Sequence, residues 1–184
     1  MRAGNMLNPA PVVMVSCGTS VDEYNIITVA WTGTVCSEPP LCYISLRPER
    51  HSYDIIKNNK EFVINLVNEK LAKQTDWCGV NSGSKFDKFD FTNLTPARGS
   101  KIMTPIILES PINLECKVLQ TLSLGSHNMF ISEIVAVDAD KSLFDKKTDK
   151  LDIQKAKLIC YSHGFYFALG SVIGKFGFSV SKKQ

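Results

Sequence analysis

The chain has 184 residues, 44% of them hydrophobic and 21% charged, the profile of a single soluble domain large enough to bury a core. Its 21 basic and 18 acidic side chains leave a net charge of +3, mixed along the chain, which argues against a nucleic-acid-binding surface. No run of about 18 apolar residues offers a membrane span, and Met1 to Asn5 lack the apolar stretch of a secretion signal, so a cytoplasmic protein is expected.

Short basic tracts such as Lys146-Lys147 and Lys182-Lys183 read as solvated surface. Six cysteines in a reducing compartment are expected to stay free. None forms a Cys-x-x-Cys pair, and Cys160 and His163 lack the second close pair that a structural zinc site needs, so no metal is expected.

In chain order, Pro11 to Ser16 is a valine-rich strand closed by Cys17-Gly18-Thr19-Ser20. Ile26 to Val35 reads as one strand, with Gly33 marking a bulge or close approach. Leu41 to Leu46 is a third strand after Glu38-Pro39-Pro40. A short amphipathic helix is predicted from Pro48 to Asn58, then a strand over Glu61 to Leu66. Asn68 caps a second helix through Leu71 to Trp77. Residues 78–99 are polar with little regular structure, yet Phe86, Phe89 and Phe91 indicate that something pins them.

Strands return at Pro105 to Leu108 and at Ile112 to Thr121, where apolar and charged residues alternate. Asn128 to Val137 is nearly continuous in apolar residues, as expected for a strand covered on both faces. A charged loop follows, then a tail from Leu158 carrying Tyr161, Phe165, Tyr166 and Phe167. Many short strands with few short helices predict a mainly β barrel or sandwich. Neither a Gly-x-Gly-x-x-Gly fingerprint after a strand nor a phosphate loop with Gly-Lys-Ser/Thr occurs, and no Gly-x-Ser-x-Gly elbow points to hydrolysis.

Three segments can carry chemistry. Thr28, Thr32 and Thr34 put hydroxyls at alternate positions of one predicted strand, with Ala30 between them, which suits a flat ligand as well as ordinary strand preference. Ser45 to Ser52 runs from a strand end into a helix start, where Arg47, Arg50 and Ser52 form either a phosphate cradle or an ordinary surface. Ser82-Gly83-Ser84-Lys85 with Lys88 can supply a cation to the same anion, or be a solvated loop.

Taken in order, Asn25 to Trp31, Ser37 to Pro40, Ser45 to Ser52, Glu61 to Asn65, Cys78 to Gly83 with Asp87 to Phe89, and His127 to Val135 resemble the flavin reductase-like, FMN-binding split-barrel family, in particular its flavoredoxin-type branch. The resemblance runs from about Asn8 to Phe178, departing where Ser84-Lys85-Phe86 stand in place of a common arginine and Ser132 in place of a common glycine. It implies a single FMN-binding domain over residues 1–184, built as an antiparallel Greek-key split β-barrel with a few short helices, and a homodimer with FMN near the subunit interface.

By that resemblance Thr28, Ala30, Trp31 and Thr32 line the isoalloxazine. Leu46, Arg47, His51 and Ser52 lie along the ribityl phosphate, joined by Ser82, Gly83 and Lys88. His127, either an orienting group for nicotinamide and flavin or a structural histidine, completes the set. The implied activity is electron transfer from NADH or NADPH to flavin, serving a flavin-dependent monooxygenase or staying on bound FMN. The alternatives are a flavoredoxin-type carrier fed by a ferredoxin-like protein and a non-catalytic flavin- or haem-binding barrel.

Overall fold

The computed structural model describes residues 3–180, so the Lys182-Lys183 tract lies outside the described residues. The fold is mainly β: an antiparallel sheet curls into a split barrel, with short helices on its outside. Strands β1 (Ala10–Pro11), β2 (Val13–Cys17), β3 (Asn25–Val29), β4 (Thr32–Cys36) and β5 (Leu41–Leu46) come first. Helix α1 (His51–Asn59), strand β6 (Glu61–Leu66) and helices α2 (Ala72–Val80) and α3 (Lys88–Thr92) follow. Strands β7 (Pro96–Ala97), β8 (Ile106–Ile107), β9 (Ile112–Ser123), β10 (Asn128–Ala139), β11 (Ile159–Ser162) and β12 (Phe165–Ala168) complete the order. No described helix is long and apolar enough to cross a membrane.

The seven-stranded sheet runs β3-β2-β6-β9-β10-β5-β4. Its two edge strands, β3 and β4, are consecutive in sequence and separated by Ala30 and Trp31 alone. The chain therefore steps from one edge of the sheet to the other within two residues, which is achievable only if the sheet curls back on itself. The backbone N–H of Ser45 on β5 donates to Trp31 O at 2.9 Å, tying down the step. The single strand expected over Ile26 to Val35 is thus corrected to two: its β-branched run gives no sign of the break, because both halves have strand character.

β2 shows why the sequence forms this barrel. Val13, Val15 and Cys17 point into the interior with Ile44, Phe62, Ile64 and Phe130. Met14 points outward into a second cluster with Ile26, Leu71, Cys78, Phe89 and Ile107. Both faces of β2 are buried, so its apolar residues do not alternate. β10 is different: Phe130 and Ser132 are buried, whereas most of its other side chains are partly open and Val137 is 59% exposed, so the expected cover on both faces is not supplied by this chain.

The segments around α2 and α3 depart from the expected irregular stretch. α2 runs on to Val80, and α3 forms where Asp87 accepts a hydrogen bond from Asp90 N. Trp77 stacks on Phe91 at 4.1 Å and meets Phe86 edge-on, which is the pin that the phenylalanines announced. Asn68 caps its helical turn as expected, accepting from Leu71 N. α1 begins at His51, later than Pro48, because Arg47 to Arg50 form a turn closed by Arg50 N donating to Arg47 O.

Polar side chains on the barrel hold residues 99–107 against it. Glu115 on β9 is fully buried and accepts from Ser100 N, Ser100 Oγ, Lys101 N and Ile102 N. Glu61 accepts from Met103 N and Thr104 N, Asn65 Oδ1 from Ile107 N, and Ser16 Oγ donates to Pro105 O. Burial alone would raise the Glu115 pKa, but the donated hydrogen bonds outweigh it and hold the carboxyl down at about 2. A lowered folded-state pKa contributes stability that is complete above the unfolded value of 4.5 and lost as pH falls towards about 2. Replacing Glu115 with Gln should cost about 3 kcal/mol in urea unfolding at pH 7, and the variant should lack most of the acid-dependent loss seen in the parent between those pH values. An unchanged acid profile would contradict this role.

Candidate functional site

The step at Ala30–Trp31 leaves a cavity at the seam where β3 meets β5. It measures about 320 Å³ and is walled by Ile27, Thr28, Ala30, Trp31, Leu46 and Arg47. His127 closes one side, its ring 4.3 Å from that of Trp31 with the planes tilted by 48°. Tyr161 and Tyr166, from the β11–β12 hairpin, form another wall, and the Tyr166 hydroxyl donates to Asp76 Oδ1 on α2 at 3.1 Å. Burial and then the Asp76 carboxylate push the Tyr166 phenol up to about 12, so it stays a protonated donor.

A second cavity of about 250 Å³ lies beside the first and shares Ile27, Thr28, Arg50 and Gly79 with it. Its lining is polar: His51 and Ser52 at the start of α1, Ser82 and Gly83 of the loop after α2, and Lys88 at the start of α3. No side chain caps the first turn of α1, where the Tyr53 N–H donates to Arg50 O and the N–H groups of His51 and Ser52 are left for a ligand. Lys88 is buried, its ammonium donates to Cys78 O at 2.7 Å, and burial lowers its pKa. The same burial raises the Cys78 thiol to about 11, against the opposing charge of Lys88.

Asn25 knits this polar end together. Its side-chain amide donates to Ser52 Oγ at 2.7 Å, joining β3 to α1. Gly83 lies directly on the Asn25 side chain, leaving no room for a Cβ, so a glycine is what lets the loop after α2 lie down against β3. Gly79 is looser, because a Cβ there would come 3.2 Å from that of Thr28.

Of the residues singled out in sequence, Thr28, Ala30, Trp31, Leu46, Arg47 and His127 line the first cavity. His51, Ser52, Ser82, Gly83 and Lys88 line the second, together with Thr28. Leu46 and Arg47 therefore line the first cavity and not the second. Thr32 lines neither of these cavities; it borders a third space of about 920 Å³ beside them, and its hydroxyl donates to Tyr43 O at 2.7 Å. Thr28 Oγ1 donates to Thr75 O at 2.5 Å. Because the strand breaks, Thr28 and Thr32 do not share one strand face, and both hydroxyls are engaged with backbone.

Arg50, named with Arg47 as a candidate cradle residue but left out of the set that the resemblance implies, lines both cavities. Its signal was its position next to His51 and Ser52, which is legible once α1 is known to start after it. Arg47 instead pairs with Glu49 at 3.5 Å on the surface. Tyr161 and Tyr166 were noted only as aromatics of the tail, since aromatic residues near a chain end read first as packing. Among the described residues no cluster of His, Cys, Asp and Glu could hold a metal ion.

The curled antiparallel barrel thus carries an apolar cavity at its seam beside a cation-bearing one. The chain belongs to the family described as flavin reductase like domain, which matches residues 5–167. Flavoredoxin of Desulfovibrio vulgaris superposes with a TM-score of 0.89 at 28% identity, covering 97% of each chain. Flavoredoxin of Methanosarcina acetivorans does so with a TM-score of 0.86 at 26% identity over 98% of each chain. A protein of Archaeoglobus fulgidus is 30% identical over 131 residues, 71% of this chain and 74% of that one.

The two glycines of the polar end should respond differently to substitution. Gly83→Ala forces Asn25 away from Ser52 and should cost about 1–3 kcal/mol. Gly79→Ala gains helix propensity, about 1 kcal/mol, which offsets its tighter contact with Thr28 and leaves stability nearly unchanged. Urea unfolding of both variants checks the difference, and equal losses would refute the packing argument.

Proposed function

We propose that the protein is an FMN-binding oxidoreductase of the flavin reductase-like kind, a single domain acting as a homodimer in the cytoplasm. The observation that carries this reading is the adjacency of the two cavities, which share four wall residues: an apolar, aromatic-walled space lies beside one bearing Arg50, Lys88 and uncapped helix N–H groups. FMN has the same polarity, a flat apolar tricycle at one end and a phosphate dianion at the other. The donor set therefore fits the group: cations and hydroxyls cluster at one end, and ring-shaped space lies at the other.

When bound, FMN supplies hydride and single-electron chemistry that no side chain here can perform. The chain's own residues bind and orient it. Arg50, Lys88, Ser52 and Ser82 hold the phosphate, and Gly83 lets the loop close over it. Trp31, Leu46 and Ala30 bracket the ring, with Arg47 and Thr28 at its margin. His127 keeps its place through Ser126 Oγ, 2.9 Å from Nδ1, and burial followed by the Arg47 and Arg50 charges depresses its pKa. A neutral imidazole beside Trp31 suits the packing of a second flat ring, the nicotinamide of NADH or NADPH.

One observation favours a second reading, an electron carrier fed by a ferredoxin-like protein. Among the described residues, the large space next to the ring cavity is lined by no lysine, arginine, aspartate or glutamate. The diphosphate of a pyridine nucleotide would find no cation there, so Arg47 alone would have to meet it. In either reading, reduced flavin can pass electrons onward, to a flavin-dependent monooxygenase in the first.

Purified protein titrated with FMN should develop bound-flavin absorbance, and Lys88→Met or Arg50→Ala should weaken the Kd by about 10–100-fold, the loss of one charge-assisted hydrogen bond. Unchanged affinity in both variants would reject the phosphate assignment. Anaerobic addition of NADH or NADPH then separates the readings: bleaching of the flavin supports the reductase, and a persistent yellow colour supports the carrier.

A further inference from the structure

The space of about 920 Å³ beside the ring cavity has walls of one chemical kind. Five aromatic rings border it, those of Trp31, Tyr43, His127, Tyr161 and His163. Residues 4–11 form another side, and no lysine, arginine, aspartate or glutamate stands among its described residues. The Tyr43 ring has its place because residue 33 on β4 is glycine: a Cβ there would come within 3.0 Å of Tyr43 Cε1, tighter than ordinary packing. The polar groups of the walls are neutral and spare. The hydroxyls of Tyr43, Ser45 and Tyr161 make no hydrogen bond to other described residues, and Ser126 Oγ takes up only one nitrogen of His127.

We propose that this space binds an uncharged aromatic carbonyl compound of the quinone type, the oxidant to which the protein passes electrons. Such a site rests on the FMN reading above and supplies the acceptor that the reading leaves open. Charge decides first. A ligand bearing a carboxylate, sulfonate or phosphate would give up hydration here and find no cation in return. Ring side chains pack face-on or edge-on against a flat ligand and gain beyond the area they cover. Carbonyl oxygens need donors, and the spare hydroxyls and the second imidazole nitrogen can donate without carrying charge.

Size and position agree. The volume lies within the range of small-molecule sites, about 300–1,000 Å³, with room for a fused-ring quinone and its substituents. The space shares Ala30, Trp31, Ser45, His127 and Tyr161 with the ring cavity, so a quinone here and a flavin there would touch the same side chains. The electron balance closes without a further reactant. A quinone becomes a hydroquinone by taking up two electrons and two protons, and FMNH2 releases that same number in returning to FMN.

The test uses the flavin-free full chain carrying Trp77→Phe, so that Trp31 reports alone, and duroquinone, whose fully substituted ring does not add to cysteine thiols. Duroquinone should quench Trp31 emission saturably. Anthraquinone-2-sulfonate, a larger quinone with a fixed charge, should bind with a Kd weaker by about 10-fold or more. Tyr43 borders this space and not the ring cavity. Tyr43→Leu should therefore weaken the duroquinone Kd by about 2–10-fold, the worth of one ring contact, and leave the Kd for FMN unchanged. In equilibrium dialysis, duroquinone should stay bound when FMN is added. Absence of saturable quenching overturns the proposal, as does equal or tighter binding of the sulfonate or an unchanged duroquinone Kd in Tyr43→Leu. Displacement of duroquinone by FMN overturns it too, by placing the quinone in the ring cavity. If Tyr43→Leu fails to fold, shown by circular dichroism, Leu124→Lys replaces it. A cation at that exposed position of the wall should raise the affinity for the sulfonate several-fold, and no gain overturns the proposal. Because the quenching titrations contain no flavin, failure to bind FMN would sink the functional reading without touching them.

Discussion

The two-residue crossing at Ala30–Trp31 governs the molecule. Since β3 and β4 are opposite edges of one sheet, joining them so tightly forces closure, and closure places a gap where the edges meet. Everything in the candidate site is arranged around that gap. β3 contributes Ile27 and Thr28, β5 contributes Leu46, and the crossing itself contributes Ala30 and Trp31. A barrel with a longer link could leave its edges apart and would have no comparable cleft. The site is thus a consequence of how the sheet closes more than of any one motif.

The polar end depends on a different kind of constraint. Its residues come from α1, the loop after α2 and α3, which do not belong to the sheet. Asn25 brings them together by reaching Ser52 with its amide and receiving Gly83 on its face. The outer cluster of Met14, Ile26, Cys78 and Phe89 presses α2 and α3 onto β2 and β3, so that Lys88 is carried inward with Phe89. Burying a lysine is costly, and here its ammonium has a backbone carbonyl partner and a space where an anion fits.

Much of this was legible in the sequence. The valine-rich run of β2, the alternation of β9 and the Asn68 cap each follow from one local rule, and each appears in the structure. The crossing was hidden because Ile26 to Val35 is β-branched on both sides of it, and strand propensity carries no information about a change of partner. Arg50 was visible as one of an arginine pair but not as the better placed of the two: with the helix start set at Pro48, it fell inside the first turn, whereas the turn ending at Arg50 brings it to both cavities. The threonine pattern was visible, but its hydroxyls are engaged with Thr75 and Tyr43 carbonyls, a fate set by tertiary neighbours that no local pattern reveals.

The distribution of charge argues for a division of labour across the cleft. Arg50 and Lys88 stand at one end, where an anionic tail would be fixed, while the space beyond Trp31 and His127 has no fixed charge among the described residues. A site evolved around a free dinucleotide needs cations at both ends, one set for each diphosphate or phosphate it holds. Here they are concentrated at one end, and the other end offers a polyanion no cation among the described residues. The charge asymmetry, more than the fold it shares with its relatives, is where the two functional readings part.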